Sequence, residues 1–339
     1  MKRRKRPAIK INPRNKQEKG FWPSSANSSK PNAIQNGYQD NSQVVQNPNK
    51  LSTNGHKKEV EMMFGNGGEK KQKRIIFTAG SKGGVGKTLF AKTIYFWLKI
   101  KGANVLGIDA DSENREFFMC HSRKEEVAEA LGLESIEIKQ IDMKRMNVAK
   151  SFFNLLTESP SDIFLIDMPG ASTREMLEIF QNFDLTNVAA VLGYKVTLVP
   201  ILNTTPTMKV MMSELTKAFG DTVNYVVVKN HHFCDLGQED FNLWDACTTR
   251  DALLKEGGLE IALPKLTGGV TQTMANMNLS FFEINDLSFG DFLLARSFLE
   301  KAMLELEKAD NVLGFDLCPL STRHRRVPFN MKQQVEFAV

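Results

Sequence analysis

The chain has 339 residues and a formal net charge of +5, with 44 lysines and arginines against 39 aspartates and glutamates. Its length permits one large α/β domain or two small ones, and 42% hydrophobic residues exclude a chain that is disordered throughout. The charge is uneven: residues 1–74 have a balance of +12, residues 75–318 one of −10, and residues 319–339 one of +3. This excludes a uniformly basic DNA-coating protein and indicates an acidic body with basic ends.

Cysteine usage and hydropathy exclude further classes. The four cysteines are widely spaced and form no C-x-x-C pair, so neither a disulfide framework nor a structural zinc site is indicated. No apolar run reaches 18 residues, so no membrane-spanning helix is expected, and no apolar segment of a signal peptide follows the basic start. We therefore expect a cytoplasmic protein.

The first 73 residues are rich in Asn, Gln, Ser and Pro and show neither a helical nor a strand period, so we predict a disordered basic tail. The cluster at residues 2–6 either binds nucleic-acid phosphates through counterion release or only keeps the chain soluble. A folded domain is expected over residues 74–310, and residues 311–339 are predicted to form a second basic tail.

From residue 74 onward, short apolar strands alternate with helical stretches. Strands are predicted at 75–79, 104–108, 136–141, 162–166, 195–201, 224–228 and 259–262, and helices at 88–100, 113–131, 143–156, 207–219, 241–255 and 292–309. This alternation is typical of parallel βαβ units and predicts an α/β fold with a doubly wound, mostly parallel sheet and helices on both faces. The apolar spacing of the last helix predicts packing against the body rather than a partner surface.

A glycine-rich loop stands between the first predicted strand and the first predicted helix. Its sequence, GSKGGVGKT at 80–88, has the context of a phosphate-binding loop, with a helix start beside the glycines. Lys87 can reach the β- and γ-phosphates, and the Thr88 hydroxyl can bind Mg²⁺. The predicted nucleotide contacts in this loop are Gly83, Gly84, Val85, Gly86, Lys87 and Thr88. The alternative, a chance Gly-Lys-Thr turn, does not account for the correct flanking elements.

The loop departs from the G-x-x-x-x-G-K-[ST] pattern, because Ser81 replaces the first glycine and Lys82 follows it. The string from Lys82 to Thr88 resembles the deviant Walker A box of the ParA/MinD superfamily of dimeric ATPases. The resemblance implies a P-loop NTPase fold, ATP as the nucleotide, and an ATP-dependent homodimer in which Lys82 reaches the partner's nucleotide. An exposed loop lysine is the alternative interpretation of Lys82.

Carboxylates end two of the predicted strands, at the edge where ligands bind in open α/β sheets. Asp109 and Asp111 follow the second strand, and we predict Asp109 as a metal ligand. The resemblance places Asp111 next to the hydrolytic water, and a helix N-cap is its alternative role. Ser112-Glu113 stands where relatives often have Pro-Gln, which leaves the rate of hydrolysis open.

A second carboxylate motif has the Walker B form, an apolar strand that ends in Asp167. A carboxylate at this point binds Mg²⁺, usually through water, so Asp167 is predicted as a metal ligand together with Thr88 and Asp109. The backbone N–H of Gly170 is predicted to contact the γ-phosphate.

The base site rests mainly on the resemblance, which implies that Asn230 contacts adenine and that Pro264 lines the base. A turn-forming asparagine after a strand is the alternative for Asn230. No N-K-x-D guanine motif stands at this strand end, which favours adenine over guanine. His231 and His232 have no carboxylates or cysteines at ligand spacing and are interpreted as loop residues.

Within the superfamily, the stretches 109–114 and 192–230 look closest to the TraL, StbB and MobD type proteins of conjugative and mobilisable plasmids. The resemblance implies a slow, partner-stimulated ATPase that acts as a dimerising switch in plasmid partition, stability or mobilisation, associated with the nucleoid or a plasmid. Its expected partners are non-specific DNA, bound by the basic tails, and an adaptor or mobilisation protein.

Three alternatives stay open. A MinD-like positioning ATPase would need a C-terminal amphipathic helix, and the short, proline-interrupted end at 324–339 argues against a membrane partner. An iron–sulfur reductase of the nitrogenase iron protein type would need cysteines placed to hold a cluster, and no such spacing is evident. A ligase of the dethiobiotin or cobyric acid type shares the fold, but the stretch that begins at Lys82 argues against it.

Overall fold

The computed structural model describes residues 71–171, 173–234 and 241–325. The expectations for residues 1–70 and 326–339 fall outside the described residues and stay predictions. Seven strands form one sheet: β1 (Lys73–Ala79), β2 (Val105–Asp109), β3 (Ile138–Gln140), β4 (Ile163–Asp167), β5 (Tyr194–Leu202), β6 (Asn224–Asn230) and β7 (Leu259–Leu263).

The strand order is β3-β2-β4-β1-β5-β6-β7, and all six pairings are parallel. The chain goes from β1 towards one edge of the sheet, returns to β4, and then continues on the other side of β1. The carboxyl end of β1 is therefore the topological switch point, where ligands bind in folds of this kind. The predicted doubly wound sheet is confirmed.

Helices connect the strands in the described part of the chain. They are α1 (Lys87–Ile100), α2 (Glu116–Met119), α3 (Lys124–Leu131), α4 (Met146–Glu158), α5 (Thr173–Phe183), α6 (Leu185–Val191), α7 (Thr207–Phe219), α8 (Asn242–Asp245), α9 (Thr248–Lys255), α10 (Val270–Met277), α11 (Phe289–Leu306) and α12 (Asp310–Leu313), with short 3₁₀ turns at His231–Phe233, Phe281–Asp286, Glu307–Ala309 and Phe315–Leu317. Among the described residues, no helix is both long and apolar enough to span a bilayer.

The hydrophobic core lies on both faces of the sheet, because alternate strand residues point to opposite sides. On β1, Ile76 packs in a cluster with α1 and α11, whereas Ile75 and Phe77 pack in a second cluster with α4, α5 and α7. The indole N–H of Trp97 donates to the carbonyl of Leu299 at 3.2 Å and so joins α1 to α11. The expected packing of the last helix on the body is confirmed.

Four predicted helices have wrong boundaries: the stretch 143–156 forms Met146–Glu158, and the other three differ for local reasons. The stretch 113–131 begins as a helix only at Glu116, because the Asp111 carboxylate accepts backbone N–H bonds that hold residues 113–114 in a turn, and it is interrupted between Met119 and Lys124. The stretch 241–255 is interrupted at Cys247, which is extended. The last helix begins at Phe289, since the Ser288 side chain accepts the N–H of Asp291 and caps it.

The packed part of the chain continues past residue 310, the predicted end of the folded domain. Leu313, Phe315 and Cys318 are buried in the core. The guanidinium of Arg74, at the start of β1, donates to the carbonyl of Asn311 at 2.5 Å. Residues 310–318 therefore close the amino-terminal edge of the sheet, away from the switch point.

Candidate nucleotide-binding site

The loop between β1 and α1 has the shape of an anion cradle. Gly84 and Gly86 have φ values of 74° and 102°, in the left-handed region that favours glycine. Helix α1 begins at Lys87, so its free N–H groups and the positive end of its dipole face the loop. A side chain at Gly83 or Gly84 would meet no atom within 4 Å, so their backbone is open to a ligand.

Lys87 is a buried cation at the end of this loop. Its ammonium donates to the carbonyl of Lys82 at 3.4 Å, and the residue is only 6% exposed. Burial lowers the pKa of Lys87, and the charges of Asp167 and Asp111 partly oppose that shift. A partly desolvated ammonium is stabilised by an anion bound beside it. Lys82 itself is exposed.

Two neighbouring segments hold the loop in place. A Cβ at Gly170, after β4, would lie 2.9 Å from Cα and 3.0 Å from N of Gly83, so the two backbones are in close contact. On the other side, the Thr207 hydroxyl at the start of α7 donates to the Ser81 hydroxyl at 3.2 Å. The serine that breaks the standard pattern thus fastens the loop to α7.

Asp167 ends β4 inside a network of hydroxyl groups. Its Oδ1 accepts the Thr78 hydroxyl at 3.0 Å, and the Thr88 hydroxyl is a further hydrogen-bond partner. The Thr78 oxygen in turn accepts the N–H of Met168 at 3.0 Å. Burial raises the pKa of Asp167 to about 6, while the bond from Thr88 and the charge of Lys87 lower it.

Asp109 pairs with Asp167 across β2 and β4 and is fully buried. Its Oδ1 accepts the N–H of Asp111 at 3.0 Å, and its Oδ2 accepts the N–H of Phe118 at 2.9 Å. Burial raises the pKa of Asp109 to about 7; the two N–H bonds lower it and the charge of Asp167 raises it further. Asp109 therefore also anchors the segment that carries Asp111.

Asp111 is half-buried and accepts the N–H groups of Glu113 and Asn114 on Oδ1, both at 3.0 Å. Helix α2 begins later, with Arg115 at its N-cap, so Asp111 caps a turn rather than the helix.

A cavity of about 210 Å³ brings Asp111 together with most of the predicted phosphate contacts. Its lining includes Gly83, Gly84, Gly86, Lys87, Thr88, Asp111 and Gly170.

The donor set fits a magnesium ion bound with phosphates. Mg²⁺ is usually held by one or two protein oxygens, by water and by substrate phosphates. Thr88 lines the cavity and its hydroxyl is hydrogen-bonded to the buried Asp167 carboxylate behind it, and Asp109 adds a second buried carboxylate beside Asp167. Among the described residues, no group of three or more His, Cys, Asp or Glu could hold a metal alone.

Asn230 and Pro264 do not line this cavity. Asn230 is buried; its Nδ2 donates to the carbonyl of Val85 at 2.7 Å, and its Oδ1 accepts the N–H of His232 at 3.0 Å. This amide therefore supports the phosphate loop from the end of β6. The adenine contact of Asn230, and the base contact of Pro264, which follows β7 half-buried, stay predictions.

Three residues of the site are absent from the sequence predictions. Lys92 and Glu116 line the cavity and form an ion pair at 2.5 Å. Lys92 follows Thr88 by four residues. This spacing puts both side chains on one face of α1, so the sequence alone could have placed Lys92 near the phosphate loop. Thr78 is a hydroxyl in an otherwise apolar strand end, and only the pairing with Asp167 reveals its role.

A parallel sheet with a glycine loop after its central strand, a lysine at the start of the next helix and carboxylates on two adjacent strands defines a P-loop NTPase fold. Residues 76–240 match the family model described as CobQ/CobB/MinD/ParA nucleotide binding domain. Residues 76–240 are therefore similar to the nucleotide-binding domain of the ParA/MinD superfamily.

Individual relatives are similar over most of their lengths. Protein MobD of Acidithiobacillus ferrooxidans is 23% identical over 220 residues, which are 65% of this chain and 90% of that protein. The septum site-determining protein MinD complexed with Mg-ADP, from Pyrococcus horikoshii OT3, is 14% identical, covers 75% of this chain and 99% of its own, and has a TM-score of 0.42. The MinC:MinD cell division protein complex of Aquifex aeolicus is 17% identical, with coverages of 68% and 96% and a TM-score of 0.38.

Proposed function

We propose that the chain is an ATPase whose ATP-bound state dimerises and which acts on plasmid DNA, in partition, stability or mobilisation. The observation that carries this proposal is one cavity that joins the glycine loop, the buried ammonium of Lys87 and the carboxylate of Asp111. The likeness to protein MobD is what favours a plasmid as the setting.

The predicted site residues have distinct parts in this proposal. The loop N–H groups and Lys87 bind the phosphates of ATP, and the Gly170 N–H contacts the γ-phosphate. Thr88 and Asp167 would hold Mg²⁺, with Asp109 behind them; when bound, this ion neutralises phosphate charge. Pro264 is the candidate for the adenine side, and Asn230 supports the phosphate loop through the Val85 carbonyl.

Asp111 is proposed to orient the attacking water. Because its Oδ1 accepts two backbone N–H bonds, the carboxylate has a fixed orientation at the cavity. Ser112 and Glu113 follow in place of the pair common in relatives, and we propose slow hydrolysis that an adaptor or mobilisation protein accelerates. Slow turnover gives the ATP-bound state a lifetime, which a switch requires.

The exposed Lys82 is proposed to stabilise the dimer by contacting the ATP of the partner subunit, where it would neutralise phosphate charge. The subunits would then be joined by nucleotide that each binds, so ATP favours the dimer by its differential affinity. Loss of the γ-phosphate would release the subunits.

DNA is proposed to bind at the basic ends of the chain. The Lys71 ammonium donates to the carbonyl of Asp316 at 2.9 Å, and the Lys101 ammonium donates to the carbonyl of Arg323 at 2.6 Å. The first and last described segments therefore meet at the amino-terminal edge of the sheet, opposite the phosphate loop. Two such basic ends in a dimer bind DNA more tightly than one, because the second contact is intramolecular.

Size-exclusion chromatography with ATP and Mg²⁺ tests the proposal. We expect the wild type to shift to the dimer volume with ATP, Lys87→Ala to remain monomeric because it loses phosphate affinity, and Asp111→Ala to stay dimeric because it cannot hydrolyse. A wild type whose elution is the same with ATP, ADP and no nucleotide would contradict the switch. An Asp111→Ala variant that does not accumulate as an ATP-bound dimer would contradict the role of that residue.

A further inference from the structure

A lysine with no part in the proposed chemistry lies inside the nucleotide cavity. Lys92, on α1, is 6% exposed, and its ammonium lies 2.5 Å from Oε1 of Glu116, the first residue of α2. Both side chains line the cavity together with Thr88 and Asp111. This pair joins a buried ammonium to a carboxylate that is 37% exposed, and it needs a physical account, since removing the lysine from water has a cost.

The position of Lys92 directs its ammonium towards the catalytic end of α1. Thr88 and Lys92 are four residues apart and share one helix face. Side chains on a helix lean towards its amino terminus, so the Lys92 side chain extends in the direction of the Thr88 hydroxyl. From there it reaches across to α2.

The segment that carries Asp111 is attached at several points. Asp109 holds the N–H of Asp111 and the N–H of Phe118, so both ends of the segment are fastened to β2. Asp111 itself holds the N–H of Asn114. The pair of Glu116 with Lys92 adds a link of a different kind, because it connects the segment to α1 and hence to the phosphate loop.

We propose that Lys92 is a positioning residue: through its ion pair with Glu116 it holds the segment 111–118, and with it the Asp111 carboxylate, in register with the phosphate loop. This inference rests on the proposed ATPase function. A displacement of a catalytic group by ~1 Å costs about 100-fold in rate, so a link between the helix that binds phosphate and the segment that orients water has a direct effect on turnover.

The same helix provides a matched control. Lys99 is 7% exposed on α1, and burial lowers its pKa, which the charges of Glu134 and Glu137 oppose. Unlike Lys92, it does not line the nucleotide cavity. Lys99→Met therefore removes a buried lysine from α1 without touching the segment that carries Asp111.

The experiment compares Lys92→Met, Lys99→Met, Glu116→Gln and Lys92→Arg in the full chain, with ATP. We expect Lys92→Met and Glu116→Gln each to lower kcat by about 10- to 100-fold while the Kd for ATP changes less than about threefold, which separates positioning from binding. Their double variant should lose no more than either single one, because both break the same pair. Lys92→Arg should keep most of the rate, and Lys99→Met should keep all of it.

Hydrogen exchange supplies a readout that does not depend on turnover. Amides of residues 113–119 should exchange faster in Lys92→Met than in the wild type, and at the wild-type rate in Lys99→Met. An unchanged kcat in Lys92→Met, or equal losses in both lysine variants, would overturn the inference. If the wild type hydrolyses no ATP, the proposed function fails, and unchanged exchange at 113–119 then overturns the Lys92 inference by itself.

Discussion

Asp109 and Asp167 are direct neighbours on β2 and β4, so two buried carboxyl groups lie side by side where these strands end. Burial raises the pKa of Asp109 to about 7 and that of Asp167 to about 6. Two such groups are costly to ionise together without a cation, and this cost supports the proposed divalent ion at this point of the sheet.

The raised pKa of Asp109 predicts a pH dependence of stability. Between the ordinary carboxyl value near 4 and the folded value of about 7, the folded chain binds more protons than the unfolded chain, so this group's contribution to stability falls as pH rises through that range. The free energy of unfolding of Asp109→Asn, relative to that of the wild type, should therefore rise by up to about 4 kcal/mol between pH 4 and pH 8. Denaturant unfolding of metal-free protein in EDTA measures it.

The comparison must be with the wild type at each pH. His121 is fully buried, burial lowers its pKa to about 4, and this group acts in the opposite direction, stabilising the fold more as pH rises from 4 to 6.5. That contribution is the same in both proteins and cancels. Asn also accepts fewer backbone N–H bonds than Asp, which lowers stability by a constant amount. Parallel stability curves for the two proteins would contradict a raised pKa at Asp109.

The close contact of Gly170 with the phosphate loop predicts a specific defect. In Gly170→Ala the new methyl would press on the Gly83 backbone, and overpacking of this kind costs about 1–3 kcal/mol, or about 5- to 150-fold in ATP affinity if it falls on the bound conformation of the loop. Gly290→Ala, in α11, adds a methyl to open space and should bind ATP as the wild type does. Calorimetric titration measures both; equal affinities would mean that the loop yields without cost.

The role of Asn230 can be determined by comparing the affinities of Asn230→Ala for ATP and for GTP. If its amide acts by holding the carbonyl of Val85, Asn230→Ala weakens ATP and GTP binding by the same factor, about 5- to 100-fold for a buried carbonyl left without its donor. If it reads adenine, only the ATP affinity falls. We expect the equal loss. Asn224→Ala, at the other end of β6, should leave both affinities unchanged.

The basic ends predict a salt-dependent affinity for DNA. Deleting residues 1–70, which carry 14 lysines and arginines, should flatten the dependence of log K on log salt by about 0.9 for each DNA phosphate that this segment neutralises. The charge change Arg325→Glu, at an exposed site near the meeting point of the two ends, should weaken binding further. Filter binding across a salt series measures both effects. A slope that the deletion leaves unchanged would place DNA binding elsewhere.

The sheet, the phosphate loop and the aspartates that end two strands, Asp109 and Asp167, could be predicted from the sequence, because each depends on local signals. Apolar runs predict buried strands, and glycines followed by Lys87 and Thr88 before a helix predict an anion site. The helix at 207–219 has the predicted bounds. These features need no knowledge of which strands become neighbours.

Features that depend on tertiary contacts were not accessible. The start of α2 only at Glu116 depends on where Asp109 and Asp111 lie, because their carboxylates accept the N–H groups of Phe118 and Asn114. Phe315 is buried because it packs in the core cluster that contains Ile76 and Ile163, which lie far from it in the sequence. The bond from Asn230 to Val85 joins residues 145 positions apart, and no sequence period encodes it.

The meeting of Lys71 with Asp316 has a consequence for the geometry of an assembly. If two copies join face to face through their phosphate loops, the places where the chain enters and leaves each fold point away from the shared plane. The described cations near these places, such as Lys71 and Arg325, would then lie at two opposite ends of the dimer. Such a dimer can bind two stretches of one duplex, or two duplexes, at the same time. ATP hydrolysis would then separate the two subunits while each remains bound to DNA.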